Sequence, residues 1–163
     1  MCSRLKIYLV AVILVIFLFP QEIFAASSVS ISSFPSSVIA GEEFNIIFDA
    51  SGLNPDTQYN MKALGGSSFT EVDTWNSSWL QQNASWSSMP EFSSNFEGSA
   101  SVTTKARFDL DTTSGSKELK IRIRKIGVDP YYDSPVVGLS VTAATPTPTP
   151  SPTPSPTTAS TAT

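Results

Sequence analysis

Along the middle of the chain, apolar residues recur at every second position. In Gly41-Glu-Glu-Phe-Asn-Ile-Ile-Phe-Asp-Ala50, Phe44, Ile46, Phe48 and Ala50 are separated by Asn45, Ile47 and Asp49, with Glu43 ahead of them. A period of two predicts a strand with one buried face. Ser51-Gly52 and Asn54-Pro55-Asp56 supply turn residues, after which Tyr59, Met61 and Ala63 resume the alternation. These two strands read as one unit whose apolar face other strands must cover. Upstream, Ser28-Val29-Ser-Ile31-Ser predicts a first strand that stops at Phe34-Pro35. Proline donates nothing to a ladder, so the chain there is expected to run along a sheet edge or to jump between sheets. Ser37 to Gly41 is its expected continuation.

Downstream, alternation returns from Phe96 to Ala106, and Lys117-Glu-Leu119-Lys-Ile121-Arg-Ile123-Arg-Lys125 is the clearest strand of the chain. Leu119, Ile121 and Ile123 face one way, while Glu118, Lys120, Arg122 and Arg124 face the other. Tyr131 to Thr142 predicts a last strand with Val137, Leu139 and Val141 inward. Between Phe69 and Phe96 no period is sustained. That stretch reads as an irregular connection holding one or two short strands, such as Thr70 to Trp75, and at most one helical turn near Leu80. About seven strands with turns between them, and no helical pattern of normal length, predict an all-β fold of two antiparallel sheets face to face.

The ends differ from this middle. Arg4 and Lys6 precede an apolar run from Ile7 to Phe19, thirteen residues, and Ile23-Phe-Ala25 offers a small residue for cleavage. The run is short of the roughly 20 residues of a membrane-spanning helix. Residues 1–25 therefore read as a secretory signal peptide, the alternative being an uncleaved anchor. From residue 144 onward Thr145-Pro-Thr-Pro-Thr-Pro-Ser-Pro-Thr-Pro-Ser-Pro156 predicts a disordered, extended Thr/Pro/Ser linker. The folded part is then residues 26–143, enough for one domain with its own core.

The lone cysteine, Cys2, lies in the leader, so the exported domain is expected to hold together by packing, with no disulfide. From Ala26 on, eight basic residues meet thirteen acidic ones, a net charge of −5, which argues against a nucleic-acid binder. No cofactor is expected, and the membrane is expected as a partner only through an uncleaved leader.

Leu53-Asn-Pro55-Asp-Thr57-Gln-Tyr59 resembles the Leu-x-Pro-x-Thr-x-Tyr corner of fibronectin type III modules. With Gly41-Glu-x-Phe44 and Ser114-Gly115-x-x-x-Leu119-x-Ile121-x-Ile123, and the Thr-Pro segment behind them, residues 26–143 resemble an immunoglobulin-like module of bacterial exported or surface proteins. The resemblance implies an immunoglobulin-like antiparallel β-sandwich and carries over no catalytic residues. The corner lies late in fibronectin type III modules and early here, which favours a generic immunoglobulin-like topology.

Three groups of residues are candidates for a site. Trp75, Trp79 and Trp86 can stack on sugar rings, with Asn76, Gln81, Gln82 and Asn83 as hydrogen-bonding neighbours. Equally, they can cover the sandwich edge and pin a loose connection, with Trp86 the most buried. Lys120, Arg122 and Arg124 form a basic stripe suited to an anionic polymer, or a solvated face balanced by acids on adjacent strands. Asp109, Asp111, Asp129 and Asp133 are loop acids that can hold Ca²⁺. Asn76-Ser-Ser78 and Asn83-Ala-Ser85 match the glycosylation acceptor pattern.

Catalysis has little to work with. The chain has no histidine, and Cys2 leaves with the leader, which removes Ser-His, Cys-His and zinc-histidine arrangements together. The expected function is a non-enzymatic module, secreted or at the cell surface, with a structural or adhesive role. Its expected partner is a cell-wall or extracellular polysaccharide, or another surface protein. The alternative is a carbohydrate-binding module tethered by the Thr-Pro linker to a downstream domain, such as a hydrolase.

Overall fold

The structure, a computed structural model, describes residues 26–128 and 130–145. Residues 1–25, expected to be a signal peptide, and most of the Thr-Pro segment lie outside the described residues. Among the described residues, no helix is long and apolar enough to cross a membrane.

The chain forms β1 (Ser28–Ser33), β2 (Ser37–Ile39), β3 (Glu43–Ser51), β4 (Gln58–Gly65), β5 (Val72–Trp75) and β6 (Trp79–Leu80). After one 3-10 turn at Trp86–Ser88 come β7 (Glu91–Ser93), β8 (Ala100–Phe108), β9 (Gly115–Lys125), β10 (Tyr131–Asp133) and β11 (Val137–Thr142). Seven of these strands have four or more residues, as the turn spacing predicted; β2, β6, β7 and β10 are short additions. One sheet has the order β1-β3-β8-β5-β6 and the other β2-β11-β9-β4-β7, with β10 also pairing β9. The order β1-β3-β8-β5 facing β11-β9-β4 is the four-against-three arrangement of an immunoglobulin-like sandwich.

Alternation decides which side chains meet between the sheets. Phe44, Ile46, Phe48 and Ala50 of β3 are buried at every second position. Ala106 and Phe108 of β8 join them from the same sheet, opposed by Met61 and Ala63 of β4 and by Leu119, Ile121 and Ile123 of β9. Phe48 meets Phe92 edge-on at 5.6 Å, and Phe44 stacks on Phe108 at 6.0 Å. Truncating a core residue such as Ile121, which is 0% exposed, costs about 2–5 kcal/mol.

Pro35 marks a change of sheet. β1 is an edge strand of one sheet, paired to β3, and two residues later β2 begins the edge of the other, running parallel to β11. Both expectations at the proline hold, because a residue without a donor sits where the ladder ends.

Four expectations are corrected. β3 and β4 do not pair; they belong to opposite sheets. The connection between them is a corner that carries the chain from one sheet to the other. The Tyr59 hydroxyl accepts a hydrogen bond from the Asn54 amide at 3.0 Å, and Leu53 and Tyr59 are both buried beneath it. Second, the strand expected from Phe96 starts at Ala100, and Phe96 is 74% exposed in a turn where Asn95 caps the amides of Glu97 and Ser99. Third, the helical turn falls at Trp86–Ser88, while Leu80 pairs with Thr74 in a sheet. Fourth, the last strand is broken at Ser134-Pro135-Val136, where the Ser134 hydroxyl accepts from the Ile121 amide and fills the missing ladder position.

Candidate functional site

Because Leu119, Ile121 and Ile123 are drawn into the core, Lys120, Arg122 and Arg124 project from the outer face of the six-stranded sheet. Register sets Lys62 of β4 opposite Arg122, Asn60 opposite Arg124 and Leu64 opposite Lys120. This face is not open water. Asn60, Lys62 and Leu64 are buried on it. The Lys62 ammonium donates to the carbonyls of Gln82 at 2.9 Å and Ala84 at 2.7 Å and lies 4.5 Å from the Trp86 ring centre. Burial lowers the Lys62 pKa from its ordinary value, and the neighbouring charges of Arg122 and Arg124 push the same way.

The stripe meets its counter-charge on the adjacent strand. Arg122 reaches both oxygens of Asp133, with Nε at 2.6 Å and Nη2 at 2.8 Å, and Lys120 donates to Asp133 Oδ2 at 2.9 Å. Burial pushes the Asp133 carboxyl up, but the hydrogen bonds from Arg122 and Lys120 outweigh it and hold the pKa below the ordinary value. The same bond to Asp133 raises Arg122. Aromatic rings cover the cations: Tyr131 lies 3.8 Å from Arg122, Phe69 4.3 Å from Lys120, and Trp86 5.9 Å from Arg124. An anionic polymer at Lys120 and Arg122 has to compete with Asp133.

Trp75 and Trp79 lie on the other outer face. They are directly paired across β5 and β6, and their rings meet edge-on at 5.1 Å with an interplanar angle of 63°. Arg107 of β8 lies 4.5 Å from the Trp79 ring centre while its Nε and Nη2 donate to Asp73 Oδ2 at 3.2 and 2.9 Å. The Asp73 side chain is 8% exposed, whereas Trp75 is 39% exposed. The structure thus joins Trp75 to Trp79 and places Trp86 among the cations of the opposite face. Trp86 is half-buried, and the fully buried residue of its segment is Met89, against whose carbonyl Asn60 donates.

The acidic candidates are dispersed. Asp133 is held by the stripe, and Asp129 lies outside the described residues. Asp109 and Asp111 line a cavity of about 270 Å³ with Thr70, Glu71, Thr112 and Thr113. Glu71 is taken by Lys117 at 2.9 Å, which lowers its pKa. Burial raises the Asp109 pKa, with Asp73 and Asp111 adding to the effect. Among the described residues no group of three or more metal-ligating side chains comes together. Of the two glycosylation acceptors, Asn76 donates to the Ser88 carbonyl at 2.8 Å and Asn83 is exposed.

From the sequence, acids on adjacent strands are expected to balance the stripe, as Asp133 does, but neither Asp73 nor Lys62 is singled out. A signal for Asp73 was present, since it shares the outward register with Trp75 two residues on.

Neither a protein-family model nor a curated protein matches the chain. Among solved structures it is similar to a conjugative transposon lipoprotein from Bacteroides eggerthii, at 11% identity over 69% of this chain and 95% of that one, TM-score 0.42. It is also similar to a sporulation control protein from Bacillus subtilis, at 12% identity over 74% of this chain and 51% of that one, TM-score 0.42. A third similar structure is a PapD-like domain of human CEP192, at 8% identity over 72% of this chain and 84% of that one, TM-score 0.33.

Proposed function

We propose that this chain is an exported, non-catalytic β-sandwich module with a structural or adhesive role at the cell surface, carried on a Thr-Pro spacer. The observation that carries the reading is where the polar and aromatic groups lie. The space between the sheets is filled by apolar side chains, and the rings and charges that resemble a site are displayed on two outer faces. Display on flat faces suits holding a partner; turnover needs reacting groups gathered round a substrate. The lack of any histidine fits the same reading. Surface labelling of intact cells expressing the full chain tests it: labelling is expected, and retention of the protein in the cytoplasm overturns it. Hydrolysis of any glycan or peptide by the purified protein overturns the non-catalytic part.

A second reading, a carbohydrate-binding module joined through the spacer to a further domain, is favoured by one specific observation. Trp75 stays 39% exposed although it sits in a regular strand pair.

A further inference from the structure

We infer that the outer face of the five-stranded sheet holds an uncharged glycan chain, laid across β3, β8, β5 and β6, with Trp75 as its stacking platform and Asn45 and Lys105 as hydrogen-bonding groups. The inference rests on the second reading, a carbohydrate-binding module, and adds the sheet face, the polar residues beside Trp75 and the uncharged character of the ligand.

The register builds the strip. Asn45 of β3 is opposite Lys105 of β8, and Thr74 of β5 is opposite Ala106, so the next residue, Trp75, comes level with Lys105. Trp79 of β6 is opposite Trp75. Ile46, Ala106 and Thr74 are buried, so their neighbours Asn45, Lys105 and Trp75 share the outward side. With strands about 4.8 Å apart, four adjacent positions span about 14 Å, the length of a short oligosaccharide.

The platform is fixed before any ligand arrives. Arg107 covers Trp79 and is itself held by the buried Asp73, and the edge-on contact with Trp79 then sets Trp75. Held in this way, the ring loses little freedom on binding. Trp75 is neither part of the core cluster nor packed against it, so covering the core is not what fixes this ring in place.

Charge selects the ligand class. The two cations of this face are both paired, Lys105 with Glu43 at 3.0 Å and Arg107 with Asp73 at 2.9 Å. Asp49 projects from the same sheet face, with its pKa lowered by hydrogen bonds from Ser101 and Ser32. The strip therefore offers no excess positive charge to an acidic polymer. What it offers is an aromatic plane beside an amide, an ammonium and the hydroxyls of Thr103 and Ser101. A sugar chain matches that mixture, with apolar ring faces and hydroxyl edges.

The test is affinity electrophoresis of the exported protein, spacer included, in gels containing hydroxyethyl cellulose, xylan, galactomannan or polygalacturonate. Retardation by at least one of the three neutral polymers is expected, unchanged by molar salt. Trp75→Ala is expected to weaken it about ten-fold or more, which corresponds to about 1.4 kcal/mol. Trp86→Ala, on the other face, is expected to bind as the parent does. Asn45→Ala and Lys105→Ala, at exposed positions, give the same reading should Trp75→Ala fail to fold. The inference is overturned if no neutral polymer retards the protein. It is equally overturned if Trp75→Ala binds unchanged, or if only polygalacturonate binds and salt abolishes it. Loss of binding in Trp86→Ala alone removes the strip but leaves a binding module standing, whereas cleavage of a polymer removes the module reading itself.

Discussion

Replacing Gly98 by alanine is a direct test of how the end of the sandwich beside the Tyr59 corner is closed. Gly98 has φ +70°, and a methyl group built on it overlaps the carbonyl oxygen of Leu53. The same two residues are tied by a hydrogen bond from the Leu53 amide to the Gly98 carbonyl at 2.9 Å. The left-handed backbone costs an alanine about 1–2 kcal/mol. Relieving the overlap means moving backbone, which gives up that hydrogen bond, about 1 kcal/mol. It also lifts Leu53 from a site where it is 4% exposed, and partial loss of a buried leucine adds about 1 kcal/mol. The sum is about 3–4 kcal/mol. Gly127 supplies the control, since its φ is +75° and a Cβ there meets nothing within 4 Å. Gly127→Ala should therefore cost the backbone share alone, about 1–2 kcal/mol. At about 4 °C per kcal/mol for a domain of this size, melting followed by circular dichroism should place Gly98→Ala about 12–16 °C below the parent and Gly127→Ala about 4–8 °C below. Equal losses in the two variants would refute the close approach of Gly98 to Leu53.

The remaining predictions concern hydrogen bonds and charge. Tyr59→Phe keeps the ring stacked on Phe92 but removes the acceptor of the Asn54 amide, and urea unfolding should show a loss of about 1 kcal/mol. Asp133→Asn should destabilise by about 1 kcal/mol at neutral pH, since Arg122 and Lys120 lose their shared partner at a part-exposed site. The Asp133 pKa is depressed below 3.8, so the wild-type advantage is full above that pH and fades as pH falls through the folded value; a constant gap down to strong acid would refute the pairing. Asp109 has the opposite sign. Its pKa is raised above 3.8 by burial and by Asp73 and Asp111, so ionising it costs the fold stability as pH rises past that value. Asp109→Asn should melt higher than the parent at neutral pH, with the difference vanishing as the pH falls below 3.8.

Much of the architecture was legible because period two is a local property. The inward sets of β3 and β9 and the sheet change at Pro35 follow from side-chain alternation and a missing amide donor. What alternation does not encode is the partner. Nothing within Phe44 to Ala63 says that β3 pairs with β1 and β8 while β4 pairs with β9. That choice depends on the Tyr59 corner turning the chain across the core. Lys62 misleads in the same way: a lysine between Met61 and Ala63 reads as solvent-facing, yet the 66–92 excursion folds over it and supplies two carbonyls for its ammonium. The three tryptophans are close in sequence, but the chain crosses from one sheet to the other between Trp79 and Glu91, which separates Trp86 from the other two. Residues in an aperiodic stretch are positioned by long-range contacts, and a single sequence does not reveal those.

The parallel contact of β2 with β11 has a mechanical consequence. Ser140, Val141 and Thr142 run alongside Ser37, Val38 and Ile39 on one flank, and Val137 to Val141 run against Leu119 to Gly115 on the other. Tension arriving through the polypeptide beyond Thr142 and drawn along the strand strains both rows of bonds at once, together with the Ala40 amide on the Thr142 carbonyl. Bonds loaded side by side share a pull that would open a hairpin one rung at a time. A domain pulled through this strand resists being unravelled from that end.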